Sequence, residues 1–137
     1  MEQIELSTGF TKNIYYLIHQ FNQDDPKSVL IIDDDSDYCD YLSFILEHEG
    51  YVLSFAKDGL NALEILNSFD IIPDLLIIDL VMPRMSGLEF RKKQIEDQRI
   101  SSIPVIFLSG YEILKGERSL LKTSQRMTIL NEVKSFF

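Results

Sequence analysis

The chain has 137 residues, of which 45% are hydrophobic and 26% charged, with a formal net charge of −9 at pH 7 and a pI near 4.6. This length predicts one soluble globular domain, and the acidic balance argues against a surface for nucleic acid or anionic lipid, which needs a basic patch. No apolar run approaches the ~20 residues of a membrane span, and no signal-peptide pattern opens the chain. The lone Cys39 cannot form an internal disulfide. We therefore expect a cytoplasmic protein.

Residues 1–27 carry a helical pattern that precedes the predicted domain. Apolar side chains recur on one face of this helix, at Phe10, Ile14, Leu17, Ile18 and Phe21. A polar stretch with Pro26 follows and breaks the helix. We therefore predict an N-terminal extension over residues 1–27, with an amphipathic helix, and a domain over residues 28–137. The helix either packs on its own domain or binds a partner, such as a second copy of the chain in a homodimer.

Four short apolar runs predict buried β-strands, at residues 29–32, 52–55, 75–78 and 105–108. Three of them lack the alternation of a half-exposed strand, as expected of strands covered on both faces. Between these runs, apolar residues recur at helical spacing and predict three helices. The first has Tyr38, Leu42, Ile45 and Leu46 and stops at Gly50. The second has Leu60, Leu63 and Leu66, and the third, which is weaker, has Leu88, Phe90 and Ile95. This alternation predicts an α/β fold with a doubly wound parallel sheet.

Acidic and hydroxyl side chains follow three of the predicted strands. Asp33, Asp34 and Asp35 follow the first strand, Asp79 the third and Ser109 the fourth. In open parallel sheets ligands bind beyond the carboxyl ends of the strands, so these groups should converge. Crowded carboxylates repel each other, and Mg²⁺ neutralises such a group while keeping water or phosphate oxygens as its other ligands. Each residue alone is also explained as a turn or helix cap, but their conjunction favours a metal and phosphate site.

Three stretches, VLIIDDD, LLIIDLVMPRMSG and IPVIFLSG, resemble the phosphoacceptor receiver domain of two-component response regulators over about residues 28–137. The resemblance implies a flavodoxin-like fold with a five-stranded parallel sheet. It also implies a protein that takes a phosphoryl group from a histidine kinase or a histidine phosphotransfer protein and signals to a downstream protein partner. Such a receiver is not an enzyme for other substrates, since it catalyses only its own Mg²⁺-dependent phosphorylation and dephosphorylation.

The resemblance assigns roles to residues of this chain. Asp79 would be the phosphoacceptor and Ser109 the switch hydroxyl. The ligands of Mg²⁺ (or Mn²⁺) would be three carboxylates and one backbone carbonyl, from Asp33, Asp34, Asp79 and Val81. Asp35 stands outside this metal set, and Asp35 or Ser36 is expected to begin the next helix.

The chain departs from the family pattern after Ser109. The family's Lys-Pro-Phe corresponds to Lys122, Thr123 and Ser124, so Lys122 is the candidate phosphate-contacting lysine and Lys115 the alternative. Without proline a cis bond after Lys122 costs ~2.5–4 kcal/mol, so we expect a trans or remodelled loop. Whether Lys122 reaches the phosphate from such a loop stays open from the sequence. Only twelve residues separate Ser109 from Lys122. A helix of ~11 residues with its loops and a strand does not fit there, so the fourth helix should be missing or reduced.

The final residues fit the end of a receiver's last helix, so we expect an atypical single-domain receiver unless the sequence is a fragment of a longer protein. Two other interpretations remain open from the sequence. A haloacid-dehalogenase-like phosphatase would use Asp33 and Asp35, but it needs acids after the lysine, where only Glu132 remains, and it leaves Asp79 unexplained. A receiver-like binding module that works without phosphorylation fits Thr123 and the missing helix, although the acidic residues and Ser109 argue against it.

Overall fold

The structure, a computed structural model, describes residues 26–68, 72–111 and 114–137. In chain order its elements are β1 (Ser28–Ile32), α1 (Ser36–His48), β2 (Val52–Ala56), α2 (Gly59–Ser68), β3 (Leu75–Asp79), α3 (Gly87–Glu96), β4 (Val105–Ser109), β5 (Ser119–Leu121) and α4 (Arg126–Lys134). The four strands predicted from apolar runs are confirmed, each within one residue at either end. The helix predicted within residues 1–27 lies outside the described ranges, and the division of the chain at residue 27 stays a prediction.

The five strands form one parallel sheet with the order β2-β1-β3-β4-β5, which confirms the flavodoxin-like prediction. The chain reverses its direction of travel across the sheet between β1 and β3, so these neighbours flank the switch point at which such sheets bind ligands. Ile32 pairs with Ile78, and Asp79 pairs with Leu108 on the other side. Asp33 and Asp79 therefore lie side by side at the carboxyl ends of β1 and β3.

The core consists of two layers, one on each face of the sheet. On one face the strands pack against α1 and α4, and on the other against α2 and α3. Alternate residues of each central strand enter opposite layers, so both sets must be apolar. This explains why β1, β3 and β4 each contain an uninterrupted run of four apolar residues.

Local signals set the ends of α1. The Asp35 side chain accepts a hydrogen bond from the Tyr38 backbone N–H at 3.1 Å, which confirms Asp35 as a helix-start residue. Gly50 follows the helix with a φ of +88°, a left-handed conformation that glycine adopts without strain. The predicted stop at Gly50 is therefore confirmed.

The weak apolar pattern of α3 has a structural cause. Phe90 is buried, but Ile95 is 57% exposed, and the inward position next to it is taken by Gln94. The Gln94 amide nitrogen donates to the carbonyl oxygens of Ile100 and Ile103, both at 2.9 Å. A buried side chain with satisfied hydrogen bonds thus replaces an apolar one and weakens the periodic signal.

Between β4 and β5 the described residues, 110–111 and 114–118, form turns and bends, with no helix. The prediction of a missing or reduced fourth helix is confirmed for these positions. Backbone pairing closes the short connection, since the Phe107 N–H donates to the Arg118 carbonyl at 2.9 Å. Across the described part of the chain, no helix is long and apolar enough to cross a membrane.

Candidate functional site

Three aspartates meet at the carboxyl ends of β1 and β3. Asp33 and Asp79 are buried and Asp34 is exposed. One carboxylate oxygen from each lies within 4.8 Å of the others. Hard divalent cations such as Mg²⁺ prefer oxygen ligands of this kind, so the donor set fits the predicted metal. The structure thus brings together the three predicted carboxylate ligands.

Lys122 lies at the same edge, directly after β5. Its backbone N–H donates to the Ser109 carbonyl at 2.8 Å, which fixes its position beside β4. Its ammonium nitrogen lies 2.8 Å from Asp33 Oδ2 and 3.2 Å from Asp79 Oδ2. The peptide bond to Thr123 is trans, as predicted. The lysine therefore reaches both carboxylates without the usual proline, and Lys122 rather than Lys115 takes this position.

The crowding of charges changes the acidity of the site. Burial and the neighbouring Asp33 carboxylate raise the pKa of Asp79 to about 6, although Lys122 and a hydrogen bond from the Val81 N–H act in the opposite direction. Burial alone would lower the pKa of Lys122, but its hydrogen bonds and ion pairs with Asp33 and Asp79 raise it. At neutral pH the site therefore holds an ammonium between carboxylates.

Val81 and Ser109 are the other two residues predicted for this site, as a backbone-carbonyl metal ligand and as the switch hydroxyl. The Val81 side chain is 78% exposed, and its backbone N–H donates to Asp79 Oδ1 at 3.3 Å. Ser109 is buried at the end of β4, the strand next to β3. Its hydroxyl accepts a hydrogen bond from the Tyr111 N–H at 3.2 Å. Both residues lie at the edge of the sheet that carries the aspartates.

The loop after Asp79 folds back onto the strand through Gly87. The Gly87 N–H donates to the Leu80 carbonyl at 3.1 Å. A Cβ at position 87 would lie 2.5 Å from the Asp79 carbonyl oxygen, closer than non-bonded atoms allow. Glycine is therefore required here because two backbone segments touch.

The sequence did not predict the ion pair between Asp58 and Arg84. Asp58 is 2% exposed and caps α2, accepting from the Asn61 N–H at 2.8 Å. The Arg84 guanidinium lies 2.7 Å from the other Asp58 oxygen, and Arg84 has a left-handed φ of +66°. The pair ties the loop that follows Asp79 to the start of α2. An Asp-Gly pair before a helix signals the cap, but nothing in the sequence signals the distant arginine.

Replacing Asp58 by asparagine should lower the free energy of unfolding at pH 7 by about 1 kcal/mol, because asparagine keeps the cap and loses the charge that pairs with half-exposed Arg84. Burial raises the pKa of Asp58, but the hydrogen bond from the Asn61 N–H and the interactions with Arg84 lower it by a larger amount. The pKa of Asp58 is therefore below its usual value. This stabilisation is present above the ordinary pKa of ~4 and is lost as the pH falls through the lowered one.

Urea unfolding of both proteins at pH 7 and pH 2.5 measures this difference. Glu117→Gln is the matched control, since Glu117 pairs with Arg91 only at 3.8 Å and is more exposed. It should change the stability by less than about 0.5 kcal/mol. An Asp58→Asn loss of equal size at both pH values would contradict the expected role of the ion pair.

Comparison with known proteins gives one family. The family model of the response regulator receiver domain matches residues 29–130. The polar-differentiation response regulator DivK of Brucella anthropi is 31% identical over 97 residues, which cover 71% of this chain and 76% of that protein. Among solved structures, the chemotaxis protein CheY4 of Vibrio cholerae is 25% identical with a TM-score of 0.72, over 82% of this chain and 99% of that chain. The receiver domain of the hybrid histidine kinase CckA is 31% identical with a TM-score of 0.69, over 80% and 97% of the two chains.

Proposed function

The chain belongs to the response regulator receiver domain family of two-component signalling, and from this premise we propose that Asp79 accepts a phosphoryl group from a histidine kinase or a histidine phosphotransfer protein. One observation carries the proposal. The Asp79 carboxylate lies 3.2 Å from the Lys122 ammonium and within 4.8 Å of oxygens from Asp33 and Asp34. The proposed nucleophilic oxygen, a positive charge and carboxylate oxygens of the kind that bind hard divalent cations thus share one edge of the sheet.

In the proposed reaction an Asp79 oxygen attacks the phosphorus of a phosphohistidine. A P–O bond forms to Asp79 as the P–N bond breaks, and the released imidazole nitrogen keeps the electron pair and takes up a proton. Beyond the attacking carboxylate, the protein contributes positioning and electrostatic stabilisation. The fixed hydrogen bond from the Val81 N–H orients the Asp79 carboxylate for this attack.

The metal of this site would be Mg²⁺ or Mn²⁺, held by Asp33, Asp34, Asp79 and the Val81 carbonyl. When bound, it supplies positive charge that offsets the charge on the phosphoryl oxygens. Lys122 supplies a second positive charge, which is already in place. The buried Asp33 keeps this ammonium at the edge of the sheet.

Phosphorylation adds up to two negative charges and strong acceptor oxygens at Asp79. The Lys122 ammonium and the Ser109 hydroxyl are then the donors from β5 and β4 that can turn to the phosphoryl group. Their movement would bias the surface around the β4–β5 connection between two states, which a downstream protein partner reads. In this proposal the protein catalyses only its own phosphorylation and dephosphorylation.

Of the two alternatives, the phosphatase loses its support and the binding module loses one of its two grounds. The haloacid-dehalogenase-like interpretation assigned Asp35 to catalysis, whereas the chain matches a different family and Asp35 caps α1. A binding module that works without phosphate rested on Thr123 and on the missing fourth helix. The altered loop no longer favours it, because Lys122 contacts both carboxylates without the proline. The absence of a helix from the described residues between β4 and β5 fits both interpretations, and the labelling experiment distinguishes them.

Incubation with a small phosphodonor such as acetyl phosphate tests the proposal. A label that is cleaved by hydroxylamine, as acyl phosphates are, should form in the presence of Mg²⁺. Removal of the metal with EDTA should slow labelling by about 100-fold or more, because a metal at such a site contributes several kcal/mol to transition-state stabilisation. Added Mg²⁺ or Mn²⁺ should restore the rate. No label, or a label that forms equally fast in EDTA, would overturn the proposal.

A further inference from the structure

Tyr38 faces the candidate site from the first turn of α1. The Lys122 ammonium nitrogen lies 4.9 Å from the centroid of the Tyr38 ring. Only 9% of Tyr38 is exposed, and its backbone N–H is fixed by the hydrogen bond to Asp35. We propose that Tyr38 is a positioning residue, whose ring holds the Lys122 ammonium at the phosphoacceptor through a cation–π contact. This inference rests on the role of Lys122 in the proposed function.

The other contacts of Lys122 explain why such an anchor is useful. Its ammonium is held by Asp33 and Asp79, which are also two of the proposed metal ligands. A divalent cation bound by Asp33 and Asp79 would therefore compete with the lysine for the same two carboxylates. The face of an aromatic ring attracts an ammonium but offers a hard cation no oxygen ligand, so this contact would still hold the lysine if a metal engaged the carboxylates.

The flexibility of the lysine and the limited solvent exposure of the contact also support a positioning role for Tyr38. A lysine side chain is a point charge on a four-carbon stem, and its ordering must be maintained by contacts. The Lys122 side chain is 20% exposed and lies against a buried ring. Cation–π contacts are strongest when both partners are shielded from water.

The Tyr38 hydroxyl separates the role of the ring from that of the polar group. Its oxygen is buried and makes no hydrogen bond with any residue in the described ranges. A buried polar group without a partner is unfavourable, so the hydroxyl does not explain why an aromatic residue is placed here. Phenylalanine at this position should keep the contact, and leucine should keep the apolar packing while it removes the ring.

The rate of Mg²⁺-dependent labelling by acetyl phosphate tests the inference. Tyr38→Leu should label about fivefold more slowly than the wild type, and Tyr38→Phe at nearly the wild-type rate. In a Lys122→Met background, Tyr38→Leu should have no further effect, because Tyr38 acts through the lysine. Tyr38→Met serves as a second variant without a ring if Tyr38→Leu does not fold. Phe44→Leu, on the exposed side of the same helix, is the control and should label normally.

A spectroscopic measurement, which needs neither metal nor phosphate, separates this inference from the proposed function. In NMR spectra the ε-methylene protons of Lys122 should be shifted by the ring current in the wild type and in Tyr38→Phe. The shift should be lost in Tyr38→Leu. If no variant takes label, the proposed function fails and the ring-current shift alone decides whether Tyr38 holds the lysine. Equal labelling by the wild type and Tyr38→Leu, equal losses in Tyr38→Leu and Tyr38→Phe, or an unshifted Lys122 would each overturn the inference.

Discussion

Replacing Asp79 by asparagine should abolish the Mg²⁺-dependent phosphoryl label and at the same time make the folded protein more stable at neutral pH. The first effect is expected because an amide oxygen is too weak a nucleophile to replace a carboxylate. The second is expected because the carboxylate is buried beside Asp33. The Asp79 charge thus destabilises the folded protein, and its proposed role is that of the nucleophile in phosphoryl transfer.

The sign of the stability effect follows from the pKa of Asp79. Burial and Asp33 raise this pKa from an ordinary value near 3.9 to about 6. The folded state therefore holds the proton more tightly than the unfolded state, and stability falls as the pH rises from about 4 to 6. The full shift corresponds to about 3 kcal/mol, which solvent at the site edge reduces to about 1–2 kcal/mol.

Urea unfolding in the absence of divalent cations measures this effect. Asp79→Asn should be more stable than the wild type by about 1–2 kcal/mol at pH 7, and the difference should vanish near pH 4. Asp40→Asn, which removes the same charge from an exposed position of α1, should leave both labelling and stability nearly unchanged. A label that persists in Asp79→Asn would place the phosphoacceptor elsewhere, and a variant less stable than the wild type at pH 7 would contradict the assigned cause.

The sequence predicted the acidic edge of the sheet because its signals are local and continuous. Residues 75–78 form an apolar run that ends at Asp79, and residues 29–32 do the same before Asp33. Strands covered on both faces need such runs, and parallel pairing then brings their carboxyl ends together. The placement of Asp33, Asp34 and Asp79 in one cluster therefore follows from the apolar pattern and the predicted topology alone.

Contacts between distant residues could not be predicted in the same way. β5 has only three residues, and it forms because it pairs with β4 rather than because of an apolar pattern. The partners of Lys122 depend on its backbone hydrogen bond to Ser109, and the Arg84 partner of Asp58 depends on how two loops meet. None of these contacts leaves a periodic signal. The family resemblance implied a fifth strand and assigned Lys122 to the phosphate, but the pairing of Lys122 with Asp33 and of Arg84 with Asp58 is seen only in the folded chain.

Gly87→Ala should damage the fold and the candidate site together. The new Cβ would lie 2.5 Å from the Asp79 carbonyl oxygen and 3.1 Å from the Leu80 Cα, so the start of α3 must move away from the end of β3. A backbone shift of this kind in a packed region costs about 2–3 kcal/mol of unfolding free energy, more than the small gain in helix propensity from alanine. Moving Asp79 relative to Lys122 should also slow labelling about tenfold or more, since misplacement near 1 Å can cost 100-fold.

Gly110→Ala provides the matched comparison, because it adds the same methyl group at the end of the neighbouring strand. A Cβ at position 110 would meet no atom within 4 Å. Its stability should therefore stay within about 0.5 kcal/mol of the wild type. Urea unfolding and the labelling rate of both variants separate close backbone contact from a general sensitivity of the sheet edge. If Gly87→Ala were as stable and as readily labelled as Gly110→Ala, the contact between α3 and β3 would not be what positions Asp79.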